Sequence, residues 1–346
     1  MVTIADVADD AGVSASTVSY VLSGKRRISS ETAESVTRSI EKLRYRPNAR
    51  AQALASRRAN AIALVAPFRP DNNVPVLMQF VAAVAIAARA RHHDVLLVTQ
   101  EEGLGGLERV SSSSLVDAVI VMDIEIADRR IPMLTALEIP SVMIGNPGRS
   151  NGISAIDLDM AEAAELAVEH LAELGHRSIA MLGSPAAVYD RRSSYAVRFR
   201  HGFERASERF SLARSWYAVE PSYHSTRAVL LGHFAKHQET TGLVVHNEAI
   251  LPDVLAVLAH EGLRVPDDVS VVALCPSELA VNQRVALTSI AIPTGDIGAA
   301  AVDMVLGLVD GTAHAEIRLV APVITIRSST ATSRLGAAAK TETRKA

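Results

Sequence analysis

The chain has 346 residues, of which 49% are hydrophobic, one cysteine and a formal net charge of −3. That length suffices for two or three domains with buried cores, and a single cysteine excludes an internal disulfide framework or a cysteine-based zinc site. The opening residues, MVTIADVADDAGVS, carry acids where a secretory leader carries bases. No stretch reaches the roughly 18 apolar residues of a membrane span, so a cytoplasmic protein with no membrane partner is expected.

Thr3 followed by Asp6 has the form of a capping box, and Ile4, Val7 and Ala8 recur at helical spacing, which predicts a short helix from Ile4 to about Asp10. Gly12 ends it and Ser14 caps a second helix, with Val18, Val21 and Leu22 on one side and Ala15, Ser16, Ser19 and Tyr20 on the other. Two short helices about a glycine turn make a helix-turn-helix, whose second helix enters the major groove of double-stranded DNA. Ala15 suits a thymine methyl, while Ser16 and Tyr20 suit base edges. Ser14, Thr17 and Ser19 suit phosphate oxygens near the positive end of the helix. Tight helix packing is the alternative account of the small residues, and a surface aromatic that of Tyr20.

A third helix follows, capped by Ser29 or Ser30, with Val36, Ile40 and Leu43 as its apolar stripe. Residues 25–58 hold ten Lys/Arg against three Glu, while residues 1–24 hold three Asp, so the first 58 residues carry +4 and the remainder −7. A basic end on an acidic body is the electrostatic outline of a nucleic-acid reader, an outline that a solvated basic face shares. In YRPNARAQALASRR, Pro47 and Asn48 signal a helix start, and the alanine-rich segment to Ser56 is too short to persist alone in water. Its one large apolar side chain, Leu54, is flanked by Arg50, Arg57 and Arg58. The segment reads equally as a minor-groove wedge, with Arg57 on phosphate, or as a flexible linker.

From Ala61 apolar runs alternate with helical patterns. AIALVAPF precedes a helix near Val76–Arg91, DVLLVTQ a helix near Leu107–Ser114, DAVIVMD a short helix, then PSVMIG. After a helix at Met160–Leu174 come SIAMLGS, a helix around Arg198–Arg209, TGLVVHN, a helix at Pro252–Glu261, and VSVVAL. Such alternation predicts parallel sheets covered by helices, in two lobes at this length. Enzyme and metal signatures are missing: GLGG at 103–106 lacks phosphate-loop spacing, the histidines are scattered, and Cys275 has no sequence-level base, so no catalytic residue, cofactor or metal is expected.

VTIADVADDAGVSASTVSYVLSG with YRPNARAQALASRR resembles the DNA-binding headpiece of the LacI/GalR family of bacterial transcription regulators. The resemblance continues through EHLAELGHRSIAMLGSP, LVVHNEAI, GLRVPDDVSVVAL and LTSIAIP. It implies a small all-α helix-turn-helix headpiece joined to an α/β periplasmic-binding-protein-like (type I) two-lobed effector domain. The implied divisions are a headpiece at residues 1–47, a hinge helix and linker at 48–60, one lobe from 61–158 with 292–320, a second from 159–291 with 321–332, and a disordered tail at 333–346. By the same resemblance Ala15, Ser16 and Tyr20 read bases, and Asn48, Ala51, Leu54 and Ala55 lie on the hinge helix, with Leu54 intercalating at the centre of a palindromic operator. Many members carry Arg at the position of Tyr20 and Lys at that of Ala55, which implies an operator of departing sequence.

A ligand between the lobes meets the carboxyl ends of strands. The candidates there are Arg69, Asp71 and Asn73, then Asp123, then Asn247 and Glu248, then Cys275 to Glu278, with Arg198 or Arg200 from VRFRHGF. Asn247 is the leading one. Cys275-Pro276 replaces the family's frequent Asp pair and Phe199 its arginine, so a simple monosaccharide pose does not carry over. HNE with CPSE is similar to an actinobacterial, oligosaccharide-responsive subset. The implied function is a homodimeric, non-enzymatic repressor of carbohydrate-utilisation genes, released from operator DNA by a sugar or oligosaccharide. A co-repressor mechanism, a sugar-binding protein without a DNA role, and an enzyme on the same scaffold are the alternatives. The tail GAAAKTETRKA lacks a leucine heptad, which predicts a dimer.

Overall fold

A computed structural model of the chain describes residues 2–23, 26–45, 58–99, 103–112 and 115–334. The chain divides into two compact units, Met1–Ala59 and Asn60–Ala346. Among the described residues of the first, helices α1 (Ile4–Ala11), α2 (Ala15–Ser23) and α3 (Ser30–Leu43) surround a core of Val7, Ala8, Val18 and Val36. Their ends are set by local chemistry. Thr3 and Asp6 form the reciprocal capping box, Thr3 N donating to the Asp6 carboxylate at 2.7 Å and Asp6 N to Thr3 Oγ1 at 3.3 Å. Gly12 closes α1 at φ 69°, a left-handed conformation that glycine adopts without strain. Ser14 Oγ accepts from Thr17 N at 3.1 Å, and Ser29, not Ser30, caps α3 by accepting from Thr32 N at 3.2 Å. The inward stripe is as expected: Val21, Leu22, Ile40 and Leu43 all pack on the core.

The second unit holds two six-stranded sheets. The first is made of β1 (Ala61–Val65), β2 (Asp94–Val98), β3 (Ala118–Val121), β4 (Ser141–Ile144), β5 (Ser154–Leu158) and β11 (Ile317–Val320), in the order β11-β5-β4-β3-β1-β2 with every pair parallel. The second is made of β6 (Ser178–Gly183), β7 (Ala213–Ala218), β8 (Gly242–Val245), β9 (Ser270–Leu274), β10 (Thr288–Ile290) and β12 (Ile324–Thr325), ordered β12-β10-β9-β8-β6-β7. Only the β10–β12 pair is antiparallel. The chain therefore passes between sheets after Leu158, after Ile290 and after Val320.

The first sheet's helices are α4 (Val74–Ala90), α5 (Gly103–Ser112), α6 (Arg130–Ala136) and the late α13 (Thr294–Val309), which packs along α4 and on β3 to β5. The second sheet's are α7 (Met160–Glu173), α8 (Ala186–Asp190), α9 (Ser194–Arg209), α10 (Tyr223–Phe234), α11 (Leu251–His260) and α12 (Ser277–Val281). α7 and α9 pack so closely that a Cβ on Gly202 would stand 2.3 Å from the Ala161 carbonyl oxygen. Strands β1, β3, β4, β5, β8 and β9 are buried almost throughout, as parallel strands covered on both faces are.

The expected tail at 333–346 begins too early. Ser333 is buried with its N–H on the Leu174 carbonyl at 2.8 Å, and Arg334 pairs with Asp268 at 3.2 Å. His176 explains the docking of this segment, its ring bonding the Thr241 hydroxyl at 2.7 Å and the Ala331 carbonyl at 3.2 Å. Residues 335–346 lie outside the described residues, as does the expected hinge, with Asn48, Ala51, Leu54, Ala55 and Arg57.

Candidate functional site

The two units offer separate surfaces. On the first, α2 turns Val18 into the core and leaves Ala15, Ser16 and Tyr20 exposed. Tyr20 is a large aromatic on an open face, and the guanidinium of Arg26 lies 5.8 Å from its ring centroid, within cation–π range. Arg27, Arg38 and Arg44 are exposed as well, so the unit carries free positive charge. Among the expected phosphate contacts, Ser14 has a structural duty as the cap, and its hydroxyl also lies 2.7 Å from that of Ser16 and 2.9 Å from that of Thr17. Thr17 and Ser19 are half-buried on the same helix.

In the second unit a cavity of about 160 Å³ opens between the sheets, where the carboxyl ends of β1, β3, β5, β6 and β8 meet the start of α4 and of α9. Asp71, Asn73, Asp123, Asn247 and Glu248 line it, so five of the expected effector candidates come together. Asp123 stands on a left-handed backbone, φ 52°, a strained conformation that its surroundings fix. Arg130 takes the Met122 and Asp123 carbonyls at 3.0 and 2.8 Å, and Arg69 meets the Asp123 carboxylate at 3.0 Å. Arg191 ties the lobes together: it ion-pairs with Asp71, donates to Asn72 Oδ1 at 3.0 Å and lies 3.8 Å from Asp123.

The remaining candidates require corrections. Arg69 does not line the cavity, since Asp123 and, at 3.7 Å, Glu125 hold it to one side. Asn247, the leading candidate, lines it but has both ends of its amide engaged, Nδ2 on the Val219 carbonyl at 2.8 Å and Oδ1 accepting from Ala249 N at 3.2 Å. It caps the 3-10 turn Glu248–Ile250. Cys275 is fully buried in the second lobe's core, where desolvation pushes its thiol up to about 12, and it is absent from the cavity wall. Of the two arginines beside Phe199, Arg200 faces away, over the Trp216 ring at 4.7 Å. Arg198 is the one near the cleft, its Nε on the Asn146 carbonyl at 2.9 Å, behind the cavity wall.

Two lining groups, Asp157 and His246, were not legible as site residues, and the state of a third, the expected Glu248, was not. Asp157, in the apolar strand β5, is buried and accepts from Asn146 N at 3.0 Å; desolvation raises its carboxyl to about 7 despite that bond and the field of Arg198. Glu248 is likewise raised to about 7, chiefly by desolvation, while its Oε1 accepts from Asn73 Nδ2 at 3.0 Å. His246 is buried against Phe199 and Tyr195, and burial keeps it neutral, with a value of about 3. Its Nδ1 meets the Ser184 hydroxyl at 3.3 Å and its Nε2 has no hydrogen-bond partner among the described residues. An acid in the run SAIDL was the available signal for Asp157; nothing in LVVHN marked the histidine. Among the described residues no cluster of His, Cys, Asp and Glu has the form of a metal site, and no helix is long and apolar enough to cross a membrane.

Comparison with known proteins gives two family matches. Residues 3–48 match bacterial regulatory proteins of the lacI family, and residues 168–330 match the periplasmic binding protein-like domain. The chain is 27% identical to catabolite control protein A of Priestia megaterium over 306 residues, 87% of this chain and 90% of that protein. It superposes on the lac repressor dimer bound to operator and the anti-inducer ONPF with a TM-score of 0.81 at 25% identity, covering 95% of this chain and 99% of the repressor chain. The transcriptional regulator CelR in complex with cellobiose gives 0.67 at 26% identity, covering 95% and 100%.

Proposed function

Because the chain joins a lacI-family DNA-binding domain to a periplasmic-binding-protein-like domain, and is thus built as a LacI-type regulator, we propose that it is a ligand-responsive repressor of carbohydrate-utilisation genes. It acts in the cytoplasm as a homodimer on double-stranded operator DNA. The observation that carries this reading is the occurrence, in one chain, of an exposed α2 face bearing Ala15, Ser16 and Tyr20 and of a cavity between two lobes with acids and amides set in its wall. Two headpieces on a two-fold axis require a palindromic site. Residues 48–60 supply the hinge, with Leu54 as the minor-groove wedge and Arg57 on phosphate. The lac repressor was solved as a dimer on operator and CelR with cellobiose; transferred to this chain, those properties give the operator and a sugar as its two ligands.

The mechanism follows from linkage. A ligand that binds one arrangement of the lobes more tightly than another shifts the population toward it, and operator affinity changes by the same coupling factor. The acids and amides set in the wall satisfy several ligand hydroxyls at once, and each one left unmet costs about 1–3 kcal/mol. The test is fluorescence anisotropy on the DNA flanking the protein's own gene, with and without a panel of sugars and purines. Sequence-specific binding released by a sugar supports the repressor; tightening by a ligand replaces it with the co-repressor reading; binding that ignores sequence overturns the operator assignment.

A further inference from the structure

The wall of the interlobe cavity is divided along the strand order of the two sheets. On one side of each sheet the strand ends send chiefly polar residues to it: Asp71, Asn72 and Asn73 after β1, Ser184 after β6, Asn247 and Glu248 after β8. On the other side they send apolar ones: Ile144 from β4, Leu274 from β9, Ile292 after β10, and Met160 at the start of α7. β3 lies between and gives both kinds, Met122 and Asp123. The Asn73–Glu248 and Arg191–Asp71 bonds cross the cleft, so the two polar sides face each other. Ile144, Met160 and Leu274 belong to one buried cluster that runs through both lobes, with Phe80 and Ile292 packed against it, so the apolar side of the cavity is an edge of that core.

The polar side is largely spent on protein partners. Asn72 and Asn247 each have both ends of the amide bonded, Asn72 to the Pro67 carbonyl at 2.9 Å and to Arg191 at 3.0 Å. The Ser194 hydroxyl donates to the Asn146 carbonyl at 2.6 Å, and Asp71 and Asp123 are paired with arginine. The acid on the apolar side, Asp157, is answered by the Asn146 N–H at 3.0 Å and the field of Arg198. What remains is carboxylate oxygen on the polar side, an acceptor for hydroxyls along one edge of a ligand. Against the other side a hydroxyl loses its water and finds no partner, whereas a methyl group gains by burial. The cavity volume of about 160 Å³ corresponds to roughly five waters at about 30 Å³ each, a space for one small ring.

We propose that the effector of this cleft is a deoxy sugar, a single ring of the 6-deoxyhexose class. Its hydroxylated edge meets Asp71, Asn73 and Glu248, and its methyl edge meets Phe80, Met160, Leu274 and Ile292. The proposal rests on the reading of the cavity as the effector site and adds to it the size and polarity of the ligand.

The full-length protein is titrated at pH 7 by calorimetry with pairs that differ by one oxygen: L-fucose and L-galactose, L-rhamnose and L-mannose, 6-deoxyglucose and glucose. Cellobiose is the two-ring probe. In the pair of matching stereochemistry the deoxy member binds about tenfold more tightly than its parent, the factor that one unmet hydroxyl carries, and cellobiose binds more weakly. Ile292→Thr and Phe80→Tyr each place a hydroxyl on the apolar side at a half-buried position, and each brings the deoxy-to-parent ratio toward one. A loss of folding does not move that ratio, and the wild-type panel establishes the preference independently. A parent matching its deoxy partner, cellobiose exceeding both, no binding by any deoxyhexose, or a ratio unmoved by both variants overturns the assignment. Operator binding is measured on the same samples without sugar. Deoxy preference without sequence-specific DNA binding sinks the repressor reading alone, whereas sequence-specific DNA binding with parent preference sinks the deoxy sugar alone.

Discussion

The Asn73 side-chain amide donates to Glu248 Oε1 at 3.0 Å, joining the start of α4 in the first lobe to the 3-10 turn of the second. Asn73 occupies the N-cap position of α4 yet makes no capping hydrogen bond, which leaves its amide available to the other lobe. Asn73→Ala leaves the Glu248 acceptor unmet, at a cost of about 1–3 kcal/mol unless water enters. The ligand-free variant is therefore expected to open at the cleft. Small-angle scattering should show a larger radius of gyration than wild type; identical curves and identical urea midpoints would mean that the bond contributes nothing.

Arg191 and Asp71 form a second side-chain tie between lobes, with both side chains 15% exposed, beside the bonds of Ser194 and Arg198 to the Asn146 carbonyl. Residues in one ion-pair network couple by about 0.5–3 kcal/mol, and removal of one partner leaves the other charge poorly solvated. The double variant should destabilise less than the sum of Arg191→Ala and Asp71→Ala, since each single variant leaves a charge unpaired and the double leaves none. Urea denaturation of the four proteins of the cycle measures the coupling. Strict additivity would show that the pair is a contact without net energy.

The cavity carboxyls give a pH signature. Asp157 and Glu248 are raised from 3.8 and 4.5 to about 7, so each holds its proton longer folded than unfolded. Stability from such a group is fully present below its unfolded value and is lost as pH rises through about 7. His246 and His176, depressed by burial to about 3 and 4, have the opposite sign and lose stability as pH falls below 6.5. Above pH 6.5 the carboxyls act alone. Asp71 and Asp123 face the same cavity but are paired with arginine. Asp157→Asn should accordingly gain stability relative to wild type between pH 5 and 8, with a ceiling of roughly 4 kcal/mol. A pH-independent difference between the two melting curves would refute the raised carboxyl.

How much of this was legible depended on which physics left a mark in the sequence. Buried parallel strands read as apolar runs, so β1, β3, β4, β6, β8 and β9 were found within a few residues. β7, ARSWYA, sits at a sheet edge with its first residues exposed, and its polar pattern gave no period to read. α10 has apolar residues scattered around its circumference and was missed for the same reason. In the site, strand ends pointed to Asp71, Asn73, Asp123, Asn247 and Glu248, all of which line the cavity. The sequence could not say that Asn247 is a cap, that Cys275 faces the core, or that Arg191 crosses to the other lobe, because each depends on how distant segments are brought together.

Gly202 tests the packing beneath the cleft. A Cβ there would approach the Ala161 carbonyl oxygen to 2.3 Å and its carbonyl carbon to 2.9 Å, both backbone atoms of α7 that cannot swing aside. Gly202→Ala must force α7 and α9 apart, and overpacking of this kind costs about 1–3 kcal/mol. The usual helix gain of alanine over glycine, about 1 kcal/mol, is too small to reverse the sign. A melting temperature at or above wild type would show that the two helices separate freely.

Tyr20 decides whether the α2 face reads sequence. Its ring is exposed and Arg26 lies above it, so the two side chains invite opposite outcomes on mutation. Tyr20→Ala should relax preference at one symmetric pair of operator positions, at about 1–3 kcal/mol for a base contact, while binding to unrelated DNA changes little. Tyr20→Phe separates the hydroxyl from the ring: loss of preference with phenylalanine assigns the reading to the hydrogen bond, retention to the ring. Arg26→Ala should weaken binding to every sequence and reduce the slope of log affinity against log salt by about 1. Selection of preferred sites from a randomised half-site, repeated over a salt series, distinguishes these. An equal loss across all sequences for Tyr20→Ala would move Tyr20 from the bases to the phosphates and leave the reading to Ala15 and Ser16.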